Sequence, residues 1–337
     1  MASAAASAAE QASVRALRLI RAELPLATPV KTSSTLDRLH GGSTRRRFYF
    51  KCENLQKTGA FKARGALNAV LSLPAADATR GVCTHSSGNH GMALAFAAQR
   101  RGVPCTVVVP KDTPQAKVDA IRGYGATVQF CEYSQRQAQC EAFARSSGAR
   151  IIHPYDDTLI MAGQGTIAVE LLEQVPDLDA IVVPVSGGGL IGGIAAAAKA
   201  LKPTIRIFGV EPKGKDLAKS LELHERRLTE SLEPLDTVAD AIRTKALGAE
   251  PWRVVHDDQA VERTVFAVSN DQIRAAMRFS FQRMKLVVEP AGAAALAAVL
   301  SGQLDETFAR EEYAAIRHVG LVVCGGNVDI DKLSSFL

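Results

Sequence analysis

Three short segments carry residue types that could do chemistry. In Gly187-Gly188-Gly189-Leu190-Ile191-Gly192, backbone without side chains separates an apolar run from an Ala-rich one. At a strand-to-helix junction such a turn offers its N–H groups to an anion. The spacing is also that of a dinucleotide fingerprint, with Glu211 placed as its ribose ligand. The physics asks only for a phosphate, and a monoester satisfies it as well as a pyrophosphate. The second segment runs from Glu53 to Gly65 and places Lys62 after Phe61, in a turn-rich stretch that opens a helix. A lysine there is ordinarily a solvated charge; used as an imine nucleophile, it needs a pKa lowered by burial or nearby cations. This segment has no role in nicotinamide binding, which favours the monoester. The third, His85-Ser86-Ser87-Gly88-Asn89-His90-Gly91, gathers hydroxyls, an amide and helix-start N–H groups into a nest for a carboxylate. Simple N-capping by Ser86 and Ser87 is the plain alternative.

The elements that position these loops alternate. Strands are expected over Phe48–Cys52, Gly81–Thr84, Thr106–Val109, Thr127–Phe130, Ile151–His153, Ala180–Val185, Arg206–Val210 and Gly320–Val323. Between them lie Gly91–Arg101, Pro114–Tyr124, Gly165–Gln174 and Leu190–Ala200, with apolar residues at helical spacing. This order predicts an α/β fold with parallel sheets covered by helices. Ligands in such folds sit beyond the carboxyl ends of strands, where all three segments fall.

Composition narrows the function classes. The 337 residues are 47% hydrophobic and 22% charged, ordinary for a globular enzyme, and the net charge of +5 is small for this length. Arg45-Arg46-Arg47 is the densest basic cluster and reads as a solvated loop, so no nucleic-acid partner is expected. Six cysteines are scattered without a C-x-x-C pair, which points to a reducing, cytoplasmic setting rather than a zinc or disulfide framework. No stretch is apolar enough for long enough to span a membrane. Met1 to Glu10 lacks the basic start and apolar core of a secretory signal and reads as a frayed tail leading into the first helix. Arg15, Arg18 and Arg21 leave an organellar transit segment as an alternative.

Together the three segments resemble the fold-type II pyridoxal-phosphate (PLP) enzymes, which are tryptophan synthase β-like, and within them the serine racemase and serine/threonine dehydratase family. The resemblance runs from about Thr28-Pro29-Val30 to Gly325-Gly326-Asn327-Val328-Asp329. It implies a large PLP-binding domain of residues 1–76 and 157–337, interrupted by a small domain of residues 77–156, with the cofactor between them. Lys62 is then the imine-forming lysine and the base on one face. Phe61, Asn89, Gly187, Gly188, Gly189, Leu190, Ala241, Glu289 and Cys324 surround the cofactor. Ser86, Ser87, Asn89, His90 and Arg136 hold a small amino-acid substrate such as L-serine or L-threonine. The family also implies a homodimer.

The two outcomes this family permits are racemisation and elimination. Ser87 stands where the racemases place the acid/base of the second face, and the liver-type serine dehydratases have alanine there. Cys324 replaces the racemases' usual serine opposite the pyridine nitrogen, and Ala241 replaces their usual glycine; both are dehydratase-like. A dehydratase without racemisation is therefore the alternative, with an NAD-dependent oxidoreductase more distant. Glu211 and Asp216 match the racemases' divalent-metal ligands, for Mg²⁺ or Ca²⁺, with one residue deleted between them and Lys215 intervening.

Overall fold

Continuous β-branched runs become strands buried on both faces. The computed structural model describes every residue except Met1, Pro25, 42–45, Leu228, 230–234, Asp258 and Leu337; for Ala2–Glu10, Lys332 and Ser335 it describes the backbone alone. In chain order the strands are β1 (Val30–Thr32), β2 (Arg47–Cys52), β3 (Val82–Thr84), β4 (Cys105–Pro110), β5 (Thr127–Cys131), β6 (Arg150–Ile151), β7 (Ala180–Pro184), β8 (Arg206–Pro212), β9 (Val265–Val268) and β10 (His318–Val323). Every residue of β4 and β7 is buried, the pattern of parallel strands covered on both sides.

Among the described residues the strands form a six-stranded sheet, β1-β2-β10-β7-β8-β9, and a four-stranded one, β5-β4-β3-β6. All pairs are parallel except β1 with β2, where Val30 faces Lys51. Strand β10 lies between β2 and β7, so the chain after Cys52, the glycine turn after Pro184 and the Cys324 segment leave the large sheet side by side. The small sheet shares its inner core with helix Lys62–Leu71: Ala63, Ala66, Leu67 and Val70 pack with Val82, Leu94, Val107 and Ile121.

Three expectations change. β1 and β9 are additional strands; both are short and at sheet edges, and neither carries a long apolar run. Ala2–Ile20 is one helix rather than a frayed tail, and it buries Ser13, Ala16, Leu17 and Ile20 while packing on helices Thr158–Gln174 and Gly189–Leu201. Arg46 is not solvated: its guanidinium stacks over Phe308 and donates to the carbonyls of Ile316 and Phe308, while Arg47 begins β2 and Arg45 lies outside the described residues. No described helix is long and apolar enough to cross a membrane.

Candidate active site

Lys62 opens helix Lys62–Leu71, and the chain before it is laced to the end of β10. Phe61 N–H donates to the Cys324 carbonyl (3.1 Å), and Gly326 N–H donates to the Gly59 carbonyl (2.8 Å). The Lys62 ammonium donates to the Pro154 carbonyl (2.5 Å), and Nζ lies 5.1 Å from the centroid of the Phe61 ring. Burial lowers the Lys62 pKa to about 8, partly opposed by Cys324. A neutral amine is thus far more accessible here than on an exposed lysine. The Cys324 thiol is buried, and desolvation, with Glu289 next, pushes its pKa well up, so it stays neutral.

The glycine turn follows β7. Gly188 has φ +92°, a left-handed conformation that L side chains resist, and it caps helix Gly189–Leu201. A Cβ at Gly187 would stand 2.4 Å from the Tyr155 ring, so glycine there makes room for that ring. The first N–H groups of a helix have no intrahelical acceptor. At this turn they are donors available to an anion.

The Ser86–His90 segment comes from the small sheet, between β3 and helix Asn89–Arg101. Gly88 is the N-cap and no side chain caps this helix, so Ser87 is not engaged in capping. Ser86 Oγ accepts only a long bond from Gly88 N–H (3.4 Å). Asn89 Nδ2 donates to Glu289 Oε1 (2.9 Å), and Asn89 Oδ1 accepts from Asn327 Nδ2 (2.9 Å), joining the small-sheet side to the large. Glu289 is buried, and desolvation raises its pKa to about 7, with the Asn89 amide opposing. His90 is buried with Nε2 on the Ile152 carbonyl (2.9 Å); burial lowers its pKa to about 3, so the ring is neutral.

Other predicted residues fall around this centre. Arg136 lies at the start of helix Arg136–Ser147, stacked on Tyr133 at 4.0 Å, and its charge reaches His85 and Tyr155. Ala241 is exposed on the turn Asp240–Ile242. His153 and Tyr155 were not anticipated. Their rings meet edge to face at 4.7 Å, and Asp156 N–H donates to His153 Nδ1 (2.9 Å). Both follow β6, so their place after a strand was the available signal.

The two carboxylates expected to hold a metal do not face a common open space. Glu211 is buried, with Oε1 accepting from Leu217 N–H (2.7 Å), whereas exposed Asp216 caps helix Leu217–Leu223 through Lys219 N–H (3.0 Å). Between them in sequence, Lys215 is buried, and its ammonium donates to the carbonyls of Val185 (2.8 Å) and Ile242 (3.1 Å). Burial pushes Lys215 down and Glu211 up, each charge opposing the shift of the other. Among the described residues no group of three or more His, Cys, Asp or Glu side chains is arranged to hold a metal ion. The donor set does not fit a divalent cation.

The family model for pyridoxal-phosphate dependent enzymes matches residues 23–325. The chain belongs to the pyridoxal-phosphate-dependent enzyme family. It is 46% identical over 308 residues to a serine racemase of Arabidopsis thaliana, covering 91% of this chain and 89% of that one. A PLP-dependent aspartate racemase structure superposes with a TM-score of 0.87 at 46% identity, covering 96% and 97% of the two chains. A serine racemase structure from Dictyostelium discoideum gives 0.84 at 40% identity, covering 95% and 98%. The fold is that of fold-type II PLP enzymes, and the chain is an enzyme of the serine racemase branch, whose structural neighbours include threonine deaminase.

Proposed function

We propose that this enzyme racemises serine and also eliminates water from L-serine and L-threonine, giving pyruvate or 2-oxobutanoate plus ammonia. The observation that carries the reading is the half-buried Lys62 amine held on the Pro154 carbonyl, together with a Ser87 hydroxyl that is not engaged in capping. When bound, PLP supplies the electron sink that acidifies the substrate's Cα–H. Lys62 holds the cofactor, and its neutral amine takes the Cα proton on one face. Ser87 holds the proton that returns to Cα on the other face. The N–H groups of Gly187, Gly188, Gly189 and Leu190 bind the phosphate. Phe61, Asn89, Ala241, Glu289 and the neutral Cys324 surround the ring. Ser86, Ser87, Asn89 and the helix start at His90 orient the substrate carboxylate, with Arg136 beyond them.

The division into residues 1–76 with 157–337 and residues 77–156 is supported by the membership of the two sheets. The six free, buried cysteines suit a reducing cytoplasm. A homodimer rests on the family resemblance, and sizing chromatography tests it. No step is assigned to a divalent metal, because the donor set around Glu211 does not fit one.

The deciding experiment incubates the purified protein separately with L-serine, L-threonine and L-aspartate, assaying keto acid and D-isomer together. Both products from L-serine are expected, and borohydride reduction should fix a pyridoxyl group on the peptide containing Lys62. Keto acid without D-serine leaves a dehydratase. D-aspartate as the main product assigns the activity of the aspartate racemase relative instead.

A further inference from the structure

Lys215 stands beside the proposed phosphate loop with its ammonium buried against carbonyl oxygens. Its position follows from a tight turn: Gly214 has φ +94°, and Lys215 N–H donates back to the Pro212 carbonyl (3.3 Å). The Nζ donates to Val185, whose own N–H bonds Val210 of β8 and whose carbonyl precedes the turn Ser186–Leu190. A second bond reaches Ile242 at the end of the turn that carries Ala241. The side chain therefore ties together two backbone segments, next to the proposed phosphate loop and the Ala241 turn, that are 57 residues apart in sequence, 185 to 242.

The counter-charge is also in place. Glu211 is buried, its Oε2 has no hydrogen-bond partner among the described residues, and the Lys215 charge compensates it. Carbonyl oxygens and a carboxylate are the ligands that hard cations choose. Here an ammonium already occupies two of the carbonyls. A metal ion bound to the Val185 carbonyl would lie beside Nζ, and like charges at that range repel strongly. Lysine supplies three donors to such a site without needing an ion from solution.

We infer that Lys215 is a built-in cation, a positioning residue that braces the phosphate loop and the Ala241 turn in place of a divalent metal. The inference uses the PLP reading for one readout, cofactor retention; melting temperature and amide exchange do not depend on it.

The test uses the holoenzyme. For the parent protein, dialysis against excess EDTA and later addition of Mg²⁺ or Ca²⁺ should leave the melting temperature, cofactor content and both activities unchanged. Lys215→Met should weaken PLP binding about tenfold, the scale of one lost charged hydrogen bond. It should also speed amide exchange in peptides spanning Val185 to Leu190 and Asp240 to Ile242. In Lys215→Ala, methylammonium should restore part of the lost protection. A parent enzyme that loses stability or activity on chelation and regains it with Mg²⁺ overturns the inference, even if Lys215→Met cannot be obtained folded. So does a folded Lys215→Met with parental exchange rates in both peptides. A parent protein that binds no PLP defeats the proposed function instead, and the melting and exchange comparisons still judge Lys215.

Discussion

Arg64 grips Glu53 with two parallel bonds, Nε to Oε2 at 2.7 Å and Nη2 to Oε1 at 2.9 Å, two residues beyond Lys62. The same guanidinium reaches Glu170 at 2.7 and 2.8 Å, and Lys51 donates to Glu170 at 2.7 Å. All four side chains are buried, and their formal charges cancel. The network fixes helix Lys62–Leu71 against the turn after β2 and against helix Thr158–Gln174, so it sets where the Lys62 amine begins.

Arg64→Met should therefore be strongly destabilising. Removing one partner leaves buried carboxylates under-compensated, a loss of about 3–5 kcal/mol. Denaturant titration of the variant measures it. A loss under about 1 kcal/mol, the range of exposed pairs, would show that the network contributes little.

The alternation of strands and helices was legible because β4 and β7 are covered on both faces and so are spelled in unbroken apolar residues. Edge strand β9 alternates half-buried and buried positions over four residues, too short a run to stand out. Within the site, Lys62, the glycine turn and Ser86–His90 were legible because each is a compact motif. Lys215 was visible only as a charge between two carboxylates. Its burial depends on Val185 and Ile242, which no local pattern connects to it. Arg46 was misread for the same reason: its cover, Phe308 and Ile316, comes from the far end of the chain.

Attachment of PLP should depend on pH through Lys62. Only the neutral amine attacks an aldehyde, and burial places its pKa at about 8 rather than 10.5. On recombining apoprotein with PLP, the attachment rate should rise about tenfold per pH unit below that point and level off above it. The growth of the yellow absorbance follows this directly. A rate still climbing steadily towards pH 10 would mean the amine is not desolvated as described.

Acid should unfold the protein partly through His90. Its folded pKa is lowered to about 3, and that of His153 to about 4, against an unfolded value near 6.5, in both cases chiefly by burial. Between those limits the unfolded chain binds protons that the folded one does not, so stability rises with pH. The contribution is fully present above about pH 6.5 and is lost as pH falls towards about 3. His90→Gln keeps a donor for the Ile152 carbonyl but cannot be protonated. Its denaturation midpoints should fall less steeply than the parent's between about pH 6 and 4. Equal slopes would assign acid lability to other groups.

Ser87 separates the two reactions. Racemisation needs an acid/base group on each face of Cα, one to take the proton and one to return it, whereas elimination from the L-isomer needs only the Lys62 face. The helix behind Ser87 is capped by Gly88 without any side chain, so removing the hydroxyl does not remove a cap. Ser87→Ala should lower D-serine formation by about an order of magnitude or more, the low end for loss of a general acid–base group. Dehydration of L-serine should survive in the same protein. Cys324→Ser exchanges a buried neutral thiol for the hydroxyl usual in racemases and should move the product ratio towards D-serine with the cofactor retained. The comparison is made on one preparation by measuring D-serine and pyruvate together. If Ser87 serves substrate binding alone, both rates should instead fall in parallel, mainly through KM, and the second-face role would pass to another group.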